Sequence, residues 1–327
     1  MKKGFIIKLI LTVGIFAVLL SFVGIDKLVT TMKRLNLNYI PLILLLSFLH
    51  FFIGTLNLKI LISPLSNIPY KTLFKYHALS WAVGTFVPGR LGEFGLVYFL
   101  QDHHISIGEG TAITTIDKLI TVLTLGLLSM YGLFFFLDPV QASSYLVTLF
   151  VGIGAVLFLI FTNLGRSIII RLMRGFSANF KGFSRTLFYY LREERFILGL
   201  NFVLTVIKWL VMTVLIFVLL LAFDVHISFW LVFLANVSTM IISQIPITIN
   251  GIGLKESVAT VLYFRIGVPT FITLSVYIIT LIITYLQSTL FISIYTDKPM
   301  RTKLLKDTKS LFRSNISFKD KIRPMNP

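Results

Sequence analysis

Apolar residues run along this chain in blocks too long for the helices of a soluble domain. Nearly uninterrupted apolar runs occupy about 4–25, 39–62, 111–137, 140–162, 196–222 and 270–295. About 20 apolar residues, rising 1.5 Å each, cover the 30 Å hydrocarbon core of a bilayer, so each run predicts a spanning helix. Two further apolar stretches, about 72–101 and 229–265, are broken in the middle. The first break reads Phe86-Val87-Pro88-Gly89-Arg90-Leu91-Gly92-Glu93. The second reads Pro246-Ile247-Thr248-Ile249-Asn250-Gly251-Ile252-Gly253-Leu254-Lys255-Glu256. Glycine lets a backbone turn sharply and proline removes a helical donor, so neither stretch predicts a plain spanning helix. Segment 26–38 carries Lys27, Lys33 and Arg34 among Leu28, Val29, Met32 and Leu35, which predicts a short interfacial helix. The first run follows Lys2 and Lys3 as a signal peptide would, but no small-residue cleavage site comes after it. It is expected to stay as the first span.

Composition agrees with the pattern. Of 327 residues 56% are hydrophobic and 13% charged, with 31 phenylalanines and a mean hydropathy of +0.91. A soluble chain carries about 25% charged residues, so this one cannot cover its own surface with polar groups. The expectation is one all-α polytopic membrane domain over 1–295 and a basic tail over 296–327. The absence of cysteine excludes disulfides, thiolate metal sites and thiol catalysis.

A formal charge of +17 raises the question of nucleic acid, but the charge is placed where membrane topology needs it. Segment 163–195 holds seven basic residues against Glu193 and Glu194, and segment 297–327 holds nine against Asp297, Asp307 and Asp320. Lysine and arginine favour the cytoplasmic side. If both broken stretches crossed the membrane, eight crossings would put 163–195 outside. If both dip in and return, six crossings remain, and the N-terminus, the basic loop and the tail all lie in the cytoplasm. The second topology is the expectation, although it puts Asp102 and Glu109 on the cytoplasmic side as well.

Re-entrant breaks imply a repeat. The span 39–62, the dip 72–101 and the span 111–137 form one unit, and 196–222, 229–265 and 270–295 form a second of opposite orientation. Inverted repeats over about 39–137 and 196–295 are therefore expected, as in many transporters. The breaks also correspond locally. Each has a proline (Pro88, Pro246), glycines (Gly89 and Gly92; Gly251 and Gly253), a basic residue and then a glutamate. Bare backbone survives at membrane depth only where protein or a wet cavity satisfies it.

An ionisable residue in a span costs about 2.5–3.5 kcal/mol on insertion scales, which makes each a candidate for function. The candidates for binding and translocating a headgroup are Arg90, Glu93, Asp117, Lys118, Lys208, Asn250, Lys255 and Glu256. Arg90, Lys255 and Lys118 suit a lipid phosphate, and Glu93, Glu256 and Asp117 suit a cationic headgroup or a proton. Plain structure offers a competing account. Glu93 would cap its half-helix and pair with Arg90, Glu256 would cap its own, and Asp117 would neutralise a cation from another segment. Lys208 and Lys118 could simply snorkel.

Other chemistry is poorly served. His50, His77, His103, His104 and His226 are scattered without a metal-ligand spacing, so no metal and no cofactor are expected. Gly89-Arg90-Leu91-Gly92 lacks the pattern of an ATP-binding loop, and no nucleophile-elbow or kinase motif occurs. Asp102-His103-His104 is expected to be a solvated turn, and Trp81, Trp209 and Trp230 to be ordinary membrane aromatics.

Pro88-Gly89-Arg90-Leu91-Gly92-Glu93, the Asp117-Lys118 pair and Asn250-Gly251-Ile252-Gly253 followed by Lys255-Glu256 resemble the lysylphosphatidylglycerol synthase transmembrane-region family, a flippase-like family. The resemblance covers about 5–295. It implies that Arg90, Gly92 and Glu93 belong to one family motif and Gly251, Gly253 and Glu256 to another. Many relatives carry an arginine in the last span; here that span holds Gln287 and no arginine. In bifunctional relatives the membrane module is joined to a cytosolic aminoacyltransferase domain and is thought to flip its product. Segment 296–327 is far too short for such a domain, so phosphatidylglycerol lysyltransferase chemistry is expected to be absent.

The leading expectation is a lipid flippase of the cytoplasmic membrane, with both termini cytoplasmic and a polar cavity between the repeats. Its partners would be membrane lipids: an anionic or aminoacylated phospholipid, a glycolipid or a polyprenyl-phosphate lipid, and no nucleic acid. The alternatives are an integral-membrane lipid-modifying enzyme and a membrane partner of a separate synthase.

Overall fold

A computed structural model of the chain describes residues 3–86, 95–162, 182–244, 248 and 251–296. The described residues are helical throughout, without strands. A helix lies on each of the six apolar runs and on each arm of the two broken stretches.

The chain opens with α1 (Lys3–Val23) and α2 (Ile25–Met32), bent by 79° at Gly24, whose φ of 84° is a glycine conformation. Next come α3 (Ile40–Ile62), α4 (Tyr70–Phe86) and the short α5 (Gly95–Leu100). Asp102-His103-His104 forms the expected solvated turn, with His104 at φ 62°. Helix α6 (Ile107–Phe136) starts on a capping box in which Ser106 and Glu109 satisfy each other's backbone amides. Asp138 caps α7 (Pro139–Phe161) by accepting from the amides of Val140 and Gln141. The remaining helices are α8 (Phe183–Arg192), α9 (Arg195–Ala222), α10 (Phe229–Ile242), α11 (Leu254–Arg265) and α12 (Thr270–Tyr295).

Four helical stretches, Leu37–Ile62, Ile107–Phe136, Arg195–Ala222 and Thr270–Tyr295, are long and apolar enough to cross a bilayer, and the bent pair α1–α2 would make a fifth. Their outer faces stay apolar where nothing covers them: Phe22 is 77% exposed and Phe196 80%. In water such surface would be costly; against acyl chains it is matched.

The directions of the helices follow from their side-chain contacts. Between α3 and α9, the Asn57 amide donates to the Thr205 hydroxyl (2.9 Å), and Asn201 donates to the Asn57 carbonyl (3.3 Å). Further along, Gly54 faces Lys208 and His50 packs edge-on against Trp209. Residue numbers rise on α3 as they fall on α9, so the two helices are antiparallel. Their ends agree: the Asn36 amide donates to the Ala222 carbonyl at one end, and Tyr190 of α8 donates to the Leu61 carbonyl at the other. Burial pushes the Tyr190 phenol up from its ordinary range, while its neighbour Tyr189 donates to Glu194 at 2.6 Å.

The described arms of each broken stretch lie antiparallel against each other. In the first, Ser80 packs on Gly95, Tyr76 stacks on Phe99 at 4.9 Å, and Ser66 donates to the His103 carbonyl. The second brings Ser243 onto Gly251, and the Tyr263 hydroxyl donates to the Val232 carbonyl. Each hairpin leans on a helix from the other half of the chain. Helix α4 runs antiparallel to α12 through Phe86–Tyr285, Ser288–Thr85 and Trp81–Phe291 contacts, and α10 packs on α6.

The α6–α10 crossing depends on one missing side chain. A Cβ at Gly132 would stand 2.5 Å from the Ser238 hydroxyl and 2.9 Å from the Leu234 carbonyl oxygen. The hydroxyl can rotate away but the backbone oxygen cannot, so the helices would have to separate. Gly132→Ala is expected to cost about 1–3 kcal/mol and to lower the melting temperature of the purified protein by a few degrees. Gly199→Ala, at a position with nothing within 4 Å, should leave it unchanged. Equal melting of the two variants would refute the close crossing.

Candidate functional site

The second break is built from backbone first. Helix α10 ends at Ile242, with Ser243 and Gln244 hydrogen-bonding back to the Met240 carbonyl. The chain then turns through Gly251 (φ 77°) and Gly253 (φ 84°), positions where any other L-residue is strained. A Cβ on Gly253 would also come within 3.2 Å of Ile15, because α1 lies directly on the break.

Helix α11 starts at Leu254 with orphan amides at its first turn. The Glu256 carboxylate satisfies one of them: Oε2 accepts from the Gly253 N–H at 2.7 Å. A charge-assisted bond of this length is among the stronger kinds, and the helix dipole favours the negative charge there. Glu256 is 1% exposed. Its other oxygen, Oε1, lies 3.6 Å from the Lys255 ammonium and has no hydrogen-bond partner among the described residues. The ammonium in turn sits 5.7 Å above the Tyr277 ring of α12. So Glu256 does cap its own helix, and it also holds a cation against an aromatic face deep in an apolar fold. Thr248 is buried beside this turn in sequence, and its hydroxyl too has no partner among the described residues.

The first break falls between α4 and α5. Pro88, Gly89, Arg90, Gly92 and Glu93 lie outside the described residues, as do Pro246 and Asn250 of the second break. What flanks the first break is polar. Thr85 accepts from Ser288 at 3.1 Å. At the preceding position of α12, the Gln287 carbonyl accepts from Ser47 at 2.9 Å, and the Gln287 amide nitrogen is buried without a partner among the described residues.

Asp117 and Lys118 sit on α6. The carboxylate is 7% exposed and lies 3.7 Å from the ammonium of Lys118, whose side chain is 54% exposed. The cation beside Asp117 is thus its own neighbour, whereas the sequence suggested one from another segment. Lys208 lies halfway along α9. Its stem packs where a Cβ on Gly54 would be, and its ammonium is 6.0 Å from the Trp209 ring.

Around Lys208 the structure gathers residues that the sequence left scattered. His77 of α4 approaches the same Gly54 position at 3.6 Å. Its ring stacks on Phe51 at 4.5 Å, and its Nδ1 lies 2.8 Å from the Thr55 hydroxyl. His50 packs against Trp209 with ring centroids 6.0 Å apart. The signal available in the sequence was position: His50 falls in the middle of an apolar run, where an ionisable side chain is expensive. Metal binding is a separate matter, and no group of three or more possible metal ligands occurs among the described residues.

The arrangement places charge of both signs within an apolar helical bundle. Among curated proteins none matches the chain significantly. The family described as "Lysylphosphatidylglycerol synthase TM region" matches residues 5–291, and this integral membrane protein belongs to that family.

Proposed function

We propose that the protein is a lipid translocase that carries the headgroup of a phospholipid or lipid-linked sugar across the cytoplasmic membrane, the acyl chains staying in lipid. The observation that carries this is the Lys255–Glu256 pair at a glycine break, its carboxylate fully buried and its ammonium partly so. Arms of 14 and 12 residues reach about 21 Å and 18 Å, past the middle of a 30 Å core. Fixed charge at that depth replaces solvation that a headgroup loses on leaving water.

The architecture proposed with it has six crossings, two re-entrant hairpins and inverted repeats over about 39–137 and 196–295. Three features support it. Helices α3 and α9 are antiparallel, whereas eight crossings would make them parallel. The arms of each hairpin begin and end at the same place, as the contact of Ser66 with His103 illustrates. Finally, the packing is reciprocal, the first arm of each hairpin leaning on the last long helix of the other unit. The end that gathers Leu61, Ser66, Arg195 and Tyr295 adjoins both basic segments, 163–195 and 297–327, and is assigned to the cytoplasm with both termini. A lipid-modifying enzyme encoded elsewhere would be the natural supplier of cargo.

Moving one positive charge outward against an inside-negative potential costs about 2.3 kcal/mol per 100 mV. A cationic headgroup would therefore need a concentration gradient or coupled protons, with Glu93 and Glu256 as the carriers.

Two measurements test this. Because the chain has no cysteine, single cysteines at Ser66, Asp102, Asp138 and Asp224 can be labelled in intact cells with an impermeant maleimide. Asp138 and Asp224 should label, and Ser66 and Asp102 should both stay protected; opposite results at 66 and 102 would rule out the first hairpin. In reconstituted vesicles, Glu256→Gln should slow lipid scrambling at least about tenfold, a loss of about 1.4 kcal/mol. The glutamine oxygen can still accept from Gly253, so a lost rate would report the missing charge rather than a lost cap. Scrambling equal to wild type would remove Glu256 from the mechanism.

A further inference from the structure

Helix α1 lies along the second break and leaves a groove beside it. We propose that this groove seats one acyl chain of the phospholipid whose headgroup meets the Lys255–Glu256 pair. The inference deepens the translocase reading and rests on it for the headgroup; the groove itself does not depend on it.

Shape comes first. The groove has a volume of about 510 Å³. One wall is a single face of α1, from Ile10 through Gly14 and Val18 to Phe22, residues four apart and therefore stacked on one side of the helix. Ser257 of α11 stands opposite, the one lining residue outside α1 among the described residues. At 1.5 Å per residue, Ile10 and Phe22 are about 18 Å apart. A chain confined to one leaflet fills about half of a 30 Å core, about 15 Å, so the groove has the length of one chain.

Surroundings come next. A Cβ at Gly14 would meet nothing within 4 Å, so no protein atom occupies the space over that point of the wall. Ile10 is 65% exposed and Val18 69%, which opens the groove toward lipid. Water is absent at that depth, and the apolar group at hand is an acyl chain.

Position ties the groove to the charged pair. Ile15 comes within 3.2 Å of where a Cβ on Gly253 would be, and the Gly253 N–H is the one that Glu256 accepts. Ser257 follows Glu256 directly, and its amide donates to the Gly253 carbonyl at 2.9 Å. The Lys255 side chain keeps 21% of its surface exposed, so the cation is open to an anionic headgroup. From Ile15 the groove runs about 10 Å toward Phe22 and about 8 Å back toward Ile10. It passes the break instead of ending at it. A chain lying there can hold its headgroup beside the pair on either side of the break. Apolar chains gain little by leaving lipid for protein, so the headgroup supplies the affinity and the groove supplies the register.

The test uses the full chain in vesicles of phosphatidylglycerol and phosphatidylethanolamine. A trace of either phospholipid, or of diacylglycerol, carries a photoactivatable diazirine in one acyl chain, and labelled peptides are mapped by mass spectrometry after illumination. The phospholipid probes should label 10–22 and Ser257 several-fold more than the exposed α7 face around Val147 and Val151. Diacylglycerol, which lacks the headgroup, should label the two alike. Gly14→Trp fills the groove; it should remove the excess labelling and slow lipid scrambling several-fold at an unchanged melting temperature. Gly152→Trp on α7, at another glycine with nothing within 4 Å, is the control and should alter none of these. Should Gly14→Trp not fold, Val18→Trp, at an exposed position of the same wall, takes its place. Equal labelling of the groove and α7 by the phospholipids would overturn the seat. So would a Gly14→Cys variant that oxidises quantitatively to a dimer, which would make the occupant a second copy of the chain. Groove labelling in a wild type that scrambles no lipid would leave the seat standing and end the translocase reading. A groove-filled variant that scrambles as fast as wild type would do the reverse.

Discussion

Inside a membrane no water is at hand to satisfy a backbone amide, and every departure from continuous helix has to supply its own partners. The second break of this chain meets that demand with a side chain. Turning through two left-handed glycines leaves the first amides of α11 without helical acceptors, and the Glu256 carboxylate takes the Gly253 N–H. An ionised acceptor forms the stronger bond, but it brings a charge into the fold, and that charge attracts one of opposite sign. Lys255 provides it, resting on Tyr277. Break, cap, counter-ion and aromatic floor thus form one sequence of necessities. The charged pair proposed to serve a headgroup is the same pair that makes the bend possible.

The same economy governs the packing. Apolar side chains gain little by leaving lipid for one another, so helices in membranes associate through close approach and side-chain hydrogen bonds. Gly132 lets α6 meet the backbone of α10. Asn57, Thr205 and Asn201 tie α3 to α9, and Asn236 donates to Thr213 between α10 and α9. These contacts join segments more than a hundred residues apart, except the last. Because each hairpin rests on a long helix of the opposite half, neither half can shift without carrying the other's hairpin along.

The sequence made the long helices legible because a bilayer imposes a length: a helix lies on each of the six apolar runs, and four helical stretches, or five with the bent pair, are long and apolar enough to cross. The breaks were legible too, because glycine, proline and charge rarely interrupt such runs by accident. Sidedness rests on the charge balance alone, whereas the antiparallel α3–α9 pair bears on the number of crossings. At the sites the record is uneven. The capping role of Glu256 follows from its place three residues after Gly253, a local relation that a sequence displays. Asp117 was harder, for nothing local told a neighbouring lysine from a distant cation. The cluster around Gly54 was not legible at all. His50 and Lys208 are 158 positions apart, and only the antiparallel register of two helices brings them together. A glycine whose value lies in the space it leaves for other helices gives no sign of that in the chain.

Charge sign at the two sites bears on energetics. Around Lys255 the fixed charges cancel, so a headgroup there meets a dipole and no net charge. Lys208 adds a single cation midway along α9. Suppose a lipid carries net charge −1. Crossing outward under an inside-negative potential then releases about 2.3 kcal/mol per 100 mV, and the interior cation lowers the barrier along the way. A lipid of net charge +1 loses on both counts. Its crossing would require a proton or a gradient to supply the difference, and its ammonium would have to be answered by a carboxylate such as Glu256 or Asp117. Zwitterionic cargo would thus need fixed charge of both signs along its path, and anionic cargo a cation alone.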